Sequence, residues 1–215
     1  MNAVIIPAHN EENNIGDVIS KVKEFSDVII VVDDGSTDKT FNEAINQNVQ
    51  VLKHEINLGK GAALKTGCDY AYIHGAKNIV VIDSDGQHDP KHIPLFFEKL
   101  ENNDIVFGFR QRNKEQPGML KFGNWFINQT FQVLYGINVK DSQSGYRGFT
   151  ASSYKKIRWV ASDYYMETEM LINTSKHELT YDLIPIETIY SDKYKGTTVL
   201  DGVKIVVKLI GGRVL

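Results

Sequence analysis

Ile79-Val80-Val81-Ile82-Asp83-Ser84-Asp85-Gly86-Gln87 sets the fold: four branched apolar residues run straight into a polar, acidic turn. Such a run is too short for a helix and reads as a buried strand that ends where the polarity begins. Comparable runs recur at Ala3–Pro7, Val28–Val32, Val49–Leu52 and Ile105–Phe109. Between them lie helical patterns. Ile15, Val18, Ile19, Val22 and Phe25 make one apolar stripe, and further helices are expected near Asp38, from about Gly61 to His74, and from Asp89-Pro90, where Asp can cap and Pro suits the first turn. Strands alternating with helices predict an open, mostly parallel α/β sheet of Rossmann-like type.

The alternation stops near residue 110. Phe122, Trp125, Phe126, Phe131, Leu134 and Tyr135 then fall on helical spacing, followed by an expected helix over Met166–Ser175, a strand near Leu183–Ile189 and an amphipathic segment over Val199–Ile210. With 215 residues and no internal repeat or linker, a single domain over 1–215 is expected, 1–110 serving a first ligand and 111–215 a second. The 24 basic and 27 acidic residues give a net charge of −3, which argues against a general grip on nucleic acid. The single Cys68, read as a small buried hydrophobe, points to a reducing compartment. No run reaches the ~18 apolar residues of a membrane span, and no secretory signal opens the sequence, so a cytoplasmic protein, at most peripheral on a membrane, is expected.

In open α/β sheets ligands gather beyond the carboxyl ends of the strands. The residues there are Pro7-Ala8-His9-Asn10-Glu11-Glu12, Asp33-Asp34-Gly35-Ser36-Thr37-Asp38, Asp83 to Asp89, and Arg110-Gln111-Arg112. Asp83 and Asp85, two apart in extended chain, can aim the same way, with Gln87 adding a neutral oxygen; such hard ligands suit Mg²⁺ or Mn²⁺. An EF-hand is excluded, since His88 and Pro94 stand where its loop needs Gly and Glu. No G-x-x-x-x-G-K-[ST] occurs, and Gly59-Lys60-Gly61 lacks the third glycine of a dinucleotide fingerprint, leaving a helix-opening turn with Lys60 placed to meet a phosphate.

Taken in order, Pro7–Glu12, Val32–Asp38, Asn57-Leu58-Gly59-Lys60-Gly61, Asp83–Gln87 and Asp141-Ser142-Gln143-Ser144-Gly145-Tyr146-Arg147 resemble family 2 glycosyltransferases of GT-A type. Within that family the chain is most similar to the dolichyl- and polyprenyl-phosphate mannose or glucose synthases. The resemblance implies transfer of a hexose, with inversion, from GDP-mannose or UDP-glucose to a lipid phosphate. It puts the nucleotide on Pro7, Ala8, His9, Glu11, Val32 and Asp34, the sugar diphosphate beside Asp83 and Ser84, and the metal on Asp83, Asp85 and Gln87. Asp33 is expected to brace its turn.

The rival acceptor is a saccharide hydroxyl, which needs a general base. A phosphate acceptor needs positioning by cations instead, and Arg110, Arg112, Lys121 and Arg147 are the candidates. Asp141 is left as either a base or an orienter of these cations. Lys193 and Lys195 are expected to cover the diphosphate, although Val199 departs from the subgroup's pattern. The aromatic segment and the C-terminal Lys204, Lys208 and Arg213 would suit a membrane surface, with a separate membrane protein as a candidate recruiting partner. A sugar nucleotidyltransferase would begin with a Gly-rich loop that Pro7–Glu11 is not, and a non-catalytic binding module would have no need of intact Asp83, Asp85 and Gln87.

Overall fold

The computed structural model describes residues 1–110, 128–142, 144–187 and 189. Seven strands form one sheet: β1 (Asn2–Ala8), β2 (Ile29–Asp34), β3 (Gln50–His54), β4 (Asn78–Val81), β5 (Ile105–Arg110), β6 (Arg147–Thr150) and β7 (Tyr181–Ile186). Their order is β3-β2-β1-β4-β6-β5-β7, and only β6 runs antiparallel to its neighbours. The mostly parallel sheet expected from the sequence is therefore present; the first five anticipated strands lie within two residues of their expected limits, whereas the last, expected near Leu183–Ile189, runs Tyr181–Ile186.

The helices are α1 (Ile15–Val22), α2 (Thr40–Asn46), α3 (Lys60–Ile73), α4 (Ile93–Lys99), α5 (128–135), α6 (Ala151–Ile157) and α7 (Met166–Lys176). They cover both faces of the sheet. Alternation along β1 sends Ala3 and Ile5 into a core shared with α3, α6 and α7, while Val4, Ile6 and Ala8 enter a second core under α1 and α4. Asp89 accepts from the Lys91 amide and Pro90 follows it, as expected, but this start opens a short 3₁₀ turn, Pro90–His92, ahead of α4. Cys68 is fully buried, as expected of a small hydrophobe, and burial pushes its thiol well up.

Strand β6, like helix α6, is absent from the sequence reading. It inserts between β4 and β5, so that Arg147 faces Val81 on one side and Phe107 on the other. Because it is antiparallel, β6 enters the sheet at the edge where β4 and β5 leave it. The residues just before it, Asp141 to Tyr146, are thereby delivered to Asp83 and Arg110. A reversed strand is what brings the second half of the chain to the ligand-binding edge.

Candidate active site

Three groups of side chains line this edge. The first closes around β2. Asp34 is 3% exposed; its Oδ1 accepts from the Leu58 amide (2.9 Å) and lies 2.7 Å from His54 Nδ1, and its Oδ2 accepts from the Gly59 amide (2.8 Å). His54 Nε2 continues to Thr66 Oγ1 at 3.0 Å. His9 Nδ1 donates to the Asp34 carbonyl at 2.8 Å. Gly59 has φ of +97°, and a Cβ there would stand 2.4 Å from the Ser162 carbonyl oxygen, so the turn into α3 is closed to any side chain. Asp33 accepts from the Ser36 amide, bracing the turn as expected, while its Oδ2 is buried without a partner.

The second group surrounds β4. Lys60 Nζ lies 2.7 Å from Asp83 Oδ1 and 3.1 Å from Glu167 Oε1, and the Tyr164 ring centre is 5.5 Å away. Gly145 lies directly against this pair: a Cβ would be 2.6 Å from Asp83 Oδ2 and 2.7 Å from Lys60 Nζ. Burial opposes the charge on Asp83, but Lys60 foremost, with His88 and Arg110, holds its carboxyl below the usual range. For Lys60 burial again opposes charge, and Asp83 and Glu167 outweigh it, so the ammonium form is secured. Asp85 moves the other way, raised by burial and then by the charge of Asp83, although its Oδ1 accepts from the Gln87 amide (3.0 Å). His88, lowered to about 4 chiefly by burial, keeps Nδ1 3.7 Å from Asp83 Oδ2, beyond hydrogen-bond range, with no other partner for that atom.

The third group joins β5 to the Asp141 loop. Arg110 forks onto Asp141, Nε to Oδ2 at 2.7 Å and the terminal nitrogen to Oδ1 at 3.1 Å. Asn128 brackets that aspartate, donating to the Lys140 carbonyl (2.8 Å) and accepting from the Ser142 amide (3.2 Å).

Several expectations are thereby sorted. Asp83, Asp85, Ser84, Lys60, Arg110 and Asp141 come to one edge, and Asp141 has an arginine to orient. Gln87 joins the loop through its backbone, its amide on Asp85 and its carbonyl accepting from the Ile189 amide. Arg147, at 1% exposed, donates to the carbonyls of Ser144, Ser142 and Glu167 and so holds the loop from beneath. The side chains of Val32 and Ala8 lie within the two cores. Pro7 is buried in β1, Glu11 anchors Asn14 from a buried position, and the Asp34 carboxylate closes the α3 turn. His9 is half-buried at the rim. Arg112, Lys121, Lys193 and Lys195 lie outside the described residues.

Glu167 and His54 escaped the sequence reading. Glu167 sits in a helix of mixed pattern with nothing local to mark it, whereas His54, the last residue of β3, could have been flagged by the same strand-end rule that found Asp34.

The donor set fits a hard divalent cation. Burial and then the charge of Asp83 raise the proton affinity of Asp85, and a cation between the two carboxylates would offset both effects. Among the described residues there is no group of three His, Cys, Asp or Glu side chains that could hold a metal.

A mostly parallel sheet with carboxylates and paired cations gathered at one edge has GT-A architecture. Residues 3–158 match the model of glycosyl transferase family 2, and the chain belongs to that family. It is 36% identical over 235 residues to the UDP-N-acetylglucosamine–dolichyl-phosphate N-acetylglucosaminyltransferase of Methanococcus voltae, covering 96% of this chain and 94% of the relative. An uncharacterized protein of Methanocaldococcus jannaschii is 39% identical over 221 residues, covering 96% and 90%. Glucosyl-3-phosphoglycerate synthase from Mycobacterium tuberculosis, solved with Mn²⁺, UDP and phosphoglyceric acid, superposes with a TM-score of 0.78 at 21% identity, covering 98% of this chain and 78% of that one; it shares the fold. The protein is a family 2 glycosyltransferase whose relatives include polyprenyl-phosphate sugar transferases.

Proposed function

We propose that the protein transfers a hexose or N-acetylhexosamine, with inversion, from a nucleoside diphosphate sugar to a polyprenyl phosphate, working at a membrane surface. The observation that carries this reading is the forked Arg110–Asp141 pair beside Asp83. Both oxygens of Asp141 are taken by a guanidinium, which suits an orienting group and not a proton acceptor. Arg110 in turn offers a cation to an acceptor that is already an anion.

In this reaction a phosphate oxygen of the acceptor attacks the anomeric carbon as the bond from that carbon to the nucleoside diphosphate breaks. The bonding pair leaves on the diphosphate oxygen, and no proton need be removed from the nucleophile. In this reading Lys60 meets the diphosphate and His9 the nucleotide, and Asp83 and Asp85 would hold Mg²⁺ or Mn²⁺. When bound, that cation supplies neutralisation of the departing diphosphate. The donor reading widens from GDP-mannose or UDP-glucose to include UDP-N-acetylglucosamine, because the relative from Methanococcus voltae carries that donor in its name. Among the described residues no helix is long and apolar enough to cross a membrane, which is compatible with peripheral contact.

The test is a panel of GDP- and UDP-sugars with Mn²⁺, each with and without a polyprenyl phosphate, reading nucleotide release and labelled lipid together. Release coupled to lipid labelling is expected. Transfer to saccharides alone would sink the phosphate reading, and no turnover of any donor would sink the activity itself. Asp85→Ala should lower metal-dependent turnover on the order of 10³-fold, as loss of a charge-stabilising ligand does.

A further inference from the structure

The metal reading above leaves one feature unaccounted for: Asp83 already has a cation on it. Lys60 Nζ is 2.7 Å from Asp83 Oδ1, close enough for a full ion pair, and is held as an ammonium ion by that carboxylate together with Glu167. The two carboxylates differ in how they are fixed. Glu167 belongs to α7, and its backbone carbonyl accepts from Arg147 Nη1 at 2.7 Å, so it is pinned to the same buried guanidinium that holds the Asp141 loop. Lys60 is the first residue of α3 and reaches the site on a four-carbon stem with freely rotating bonds. Between Asp83 and Glu167 the ammonium group therefore needs to move very little to change its principal partner.

We infer that Lys60 is a resident counter-cation that shares Asp83 with the divalent ion, and that Glu167 is the positioning residue that draws it aside when the ion is bound. The inference rests on the proposed metal site. Its physical basis is charge balance. Asp83 and Glu167 both lie against Lys60, and with Asp85 two residues further on they would concentrate three negative charges at one strand end. Lys60 offsets part of that charge before any ligand arrives, so the edge folds without a metal. A divalent ion at Asp83 and Asp85 then repels the ammonium group, for which Glu167, 3.1 Å away, is the nearest alternative anion. Shifted in this way, Lys60 remains beside the diphosphate site with its charge available to phosphate oxygens. Gly145 leaves the path between the two carboxylates open, since any Cβ there would meet both Asp83 and Lys60 within 2.7 Å.

Opposite signs in two variants make the idea testable without turnover. Mn²⁺ uptake by the full chain, read from loss of the free-ion electron paramagnetic resonance signal with no nucleotide present, should be on the order of tenfold tighter in Lys60→Met, because a competing charge is gone. In Glu167→Gln uptake should be several-fold weaker, because Lys60 then has only Asp83 to neutralise. In the double variant the Glu167 change should have little further effect. A general field effect of Glu167 would weaken uptake equally in both backgrounds and would overturn its role through Lys60. Lys60→Met binding no tighter than the native chain would overturn the sharing itself. No Mn²⁺ uptake by any of the four proteins would overturn the metal reading, and the inference with it. A wild-type measurement guards against a variant that fails to fold: the Lys60 ammonium nitrogen resonance should shift on Mg²⁺ addition, and an unmoved resonance during demonstrable Mg²⁺ binding overturns the proposal.

Discussion

The β2 end and the β4–β5 end of the same sheet edge use carboxylates in opposite ways. At β2, Asp34 and Asp38 accept from backbone amides: Leu58 and Gly59 bind Asp34, and Thr40 and Glu12 bind Asp38. At β4 and β5, Asp83, Glu167 and Asp141 face side-chain cations, Lys60 and Arg110. Backbone amides cannot move without disturbing the fold, whereas lysine and arginine can change partners at the cost of a few rotamers. The first end is thus a rigid receptacle suited to a nucleotide. The second is a set of exchangeable charges, suited to a reaction in which phosphate charge is redistributed. Joining them is the turn at Gly59-Lys60, whose amide serves one end and whose ammonium group serves the other.

The largest test of this contrast is the exception to it. Arg147 lies in the exchangeable half yet donates only to carbonyls among its hydrogen-bond partners, so it should behave as scaffold. Arg147→Met leaves three buried carbonyls short of donors and should cost about 4 kcal/mol of stability in denaturant titration. A variant of normal stability but lost acceptor affinity would return Arg147 to the acceptor site. Next comes Arg110→Ala. Transfer to polyprenyl phosphate should fall on the order of 10²-fold, about 2.7 kcal/mol in the barrier, with donor affinity unchanged in a calorimetric titration. A matching fall in donor affinity would place Arg110 with the nucleotide and blur the two ends.

Asp34→Asn probes the rigid end. An amide has one acceptor oxygen where the carboxylate has two, so either Gly59 or the Leu58 and His54 pair faces an NH₂ group instead. A loss of about 2 kcal/mol of stability is expected, with weaker donor binding, because the α3 turn loosens. Full stability with weakened donor binding would instead show that the carboxylate reads the nucleotide directly.

The sequence carried the rigid end almost whole, and the exchangeable end only in part. Strands β1, β2, β4 and most of β5 are buried and so appear as short apolar, mostly branched runs, which is why they and the polar turns after them were legible; β3 lies at the sheet edge, only partly covered, and was found from Val49–Leu52. Strand β6 has four residues, one charged and one glycine, and its place in the sheet is set by two neighbours distant in sequence. Nothing in Arg147-Gly148-Phe149-Thr150 announces that environment. For the same reason Arg147 read as a surface cation with a phosphate to hold: burial of an arginine on three carbonyls is a tertiary fact. Asp34 was found but its partners were not, since His54 reaches it through the register of the β2–β3 pair, and Leu58 and Gly59 through the turn into α3. Glu167 became visible only when α7 had packed beneath the Gly145 turn.

The smallest expected effect lies outside both ends, where a carboxylate meets a cation with no ligand to share. Asp69 on α3 receives two hydrogen bonds from Arg158, at 3.0 and 2.7 Å, and one from Tyr154 at 2.6 Å, tying α3 to the segment after α6. Burial is the largest single influence and raises the proton affinity of Asp69, but the hydrogen bonds from Arg158 and Tyr154, with the charges of Arg158 and Lys65, together outweigh it and hold its carboxyl below the ordinary 3.8. A depressed folded-state value means that the unfolded chain binds a proton more readily, so the stabilisation is complete above that ordinary value and is lost as pH falls through the lower one. Because both side chains are substantially exposed, the effect is small, about 0.5–1 kcal/mol, and salt should reduce it. Asp69→Asn should therefore lower the melting temperature by only a few degrees at pH 7, lose that deficit in strong acid, and leave transfer untouched. If transfer fell as well, α3 would be conveying strain from its far flank to Lys60, and the charge exchange at β4 could no longer be treated as local.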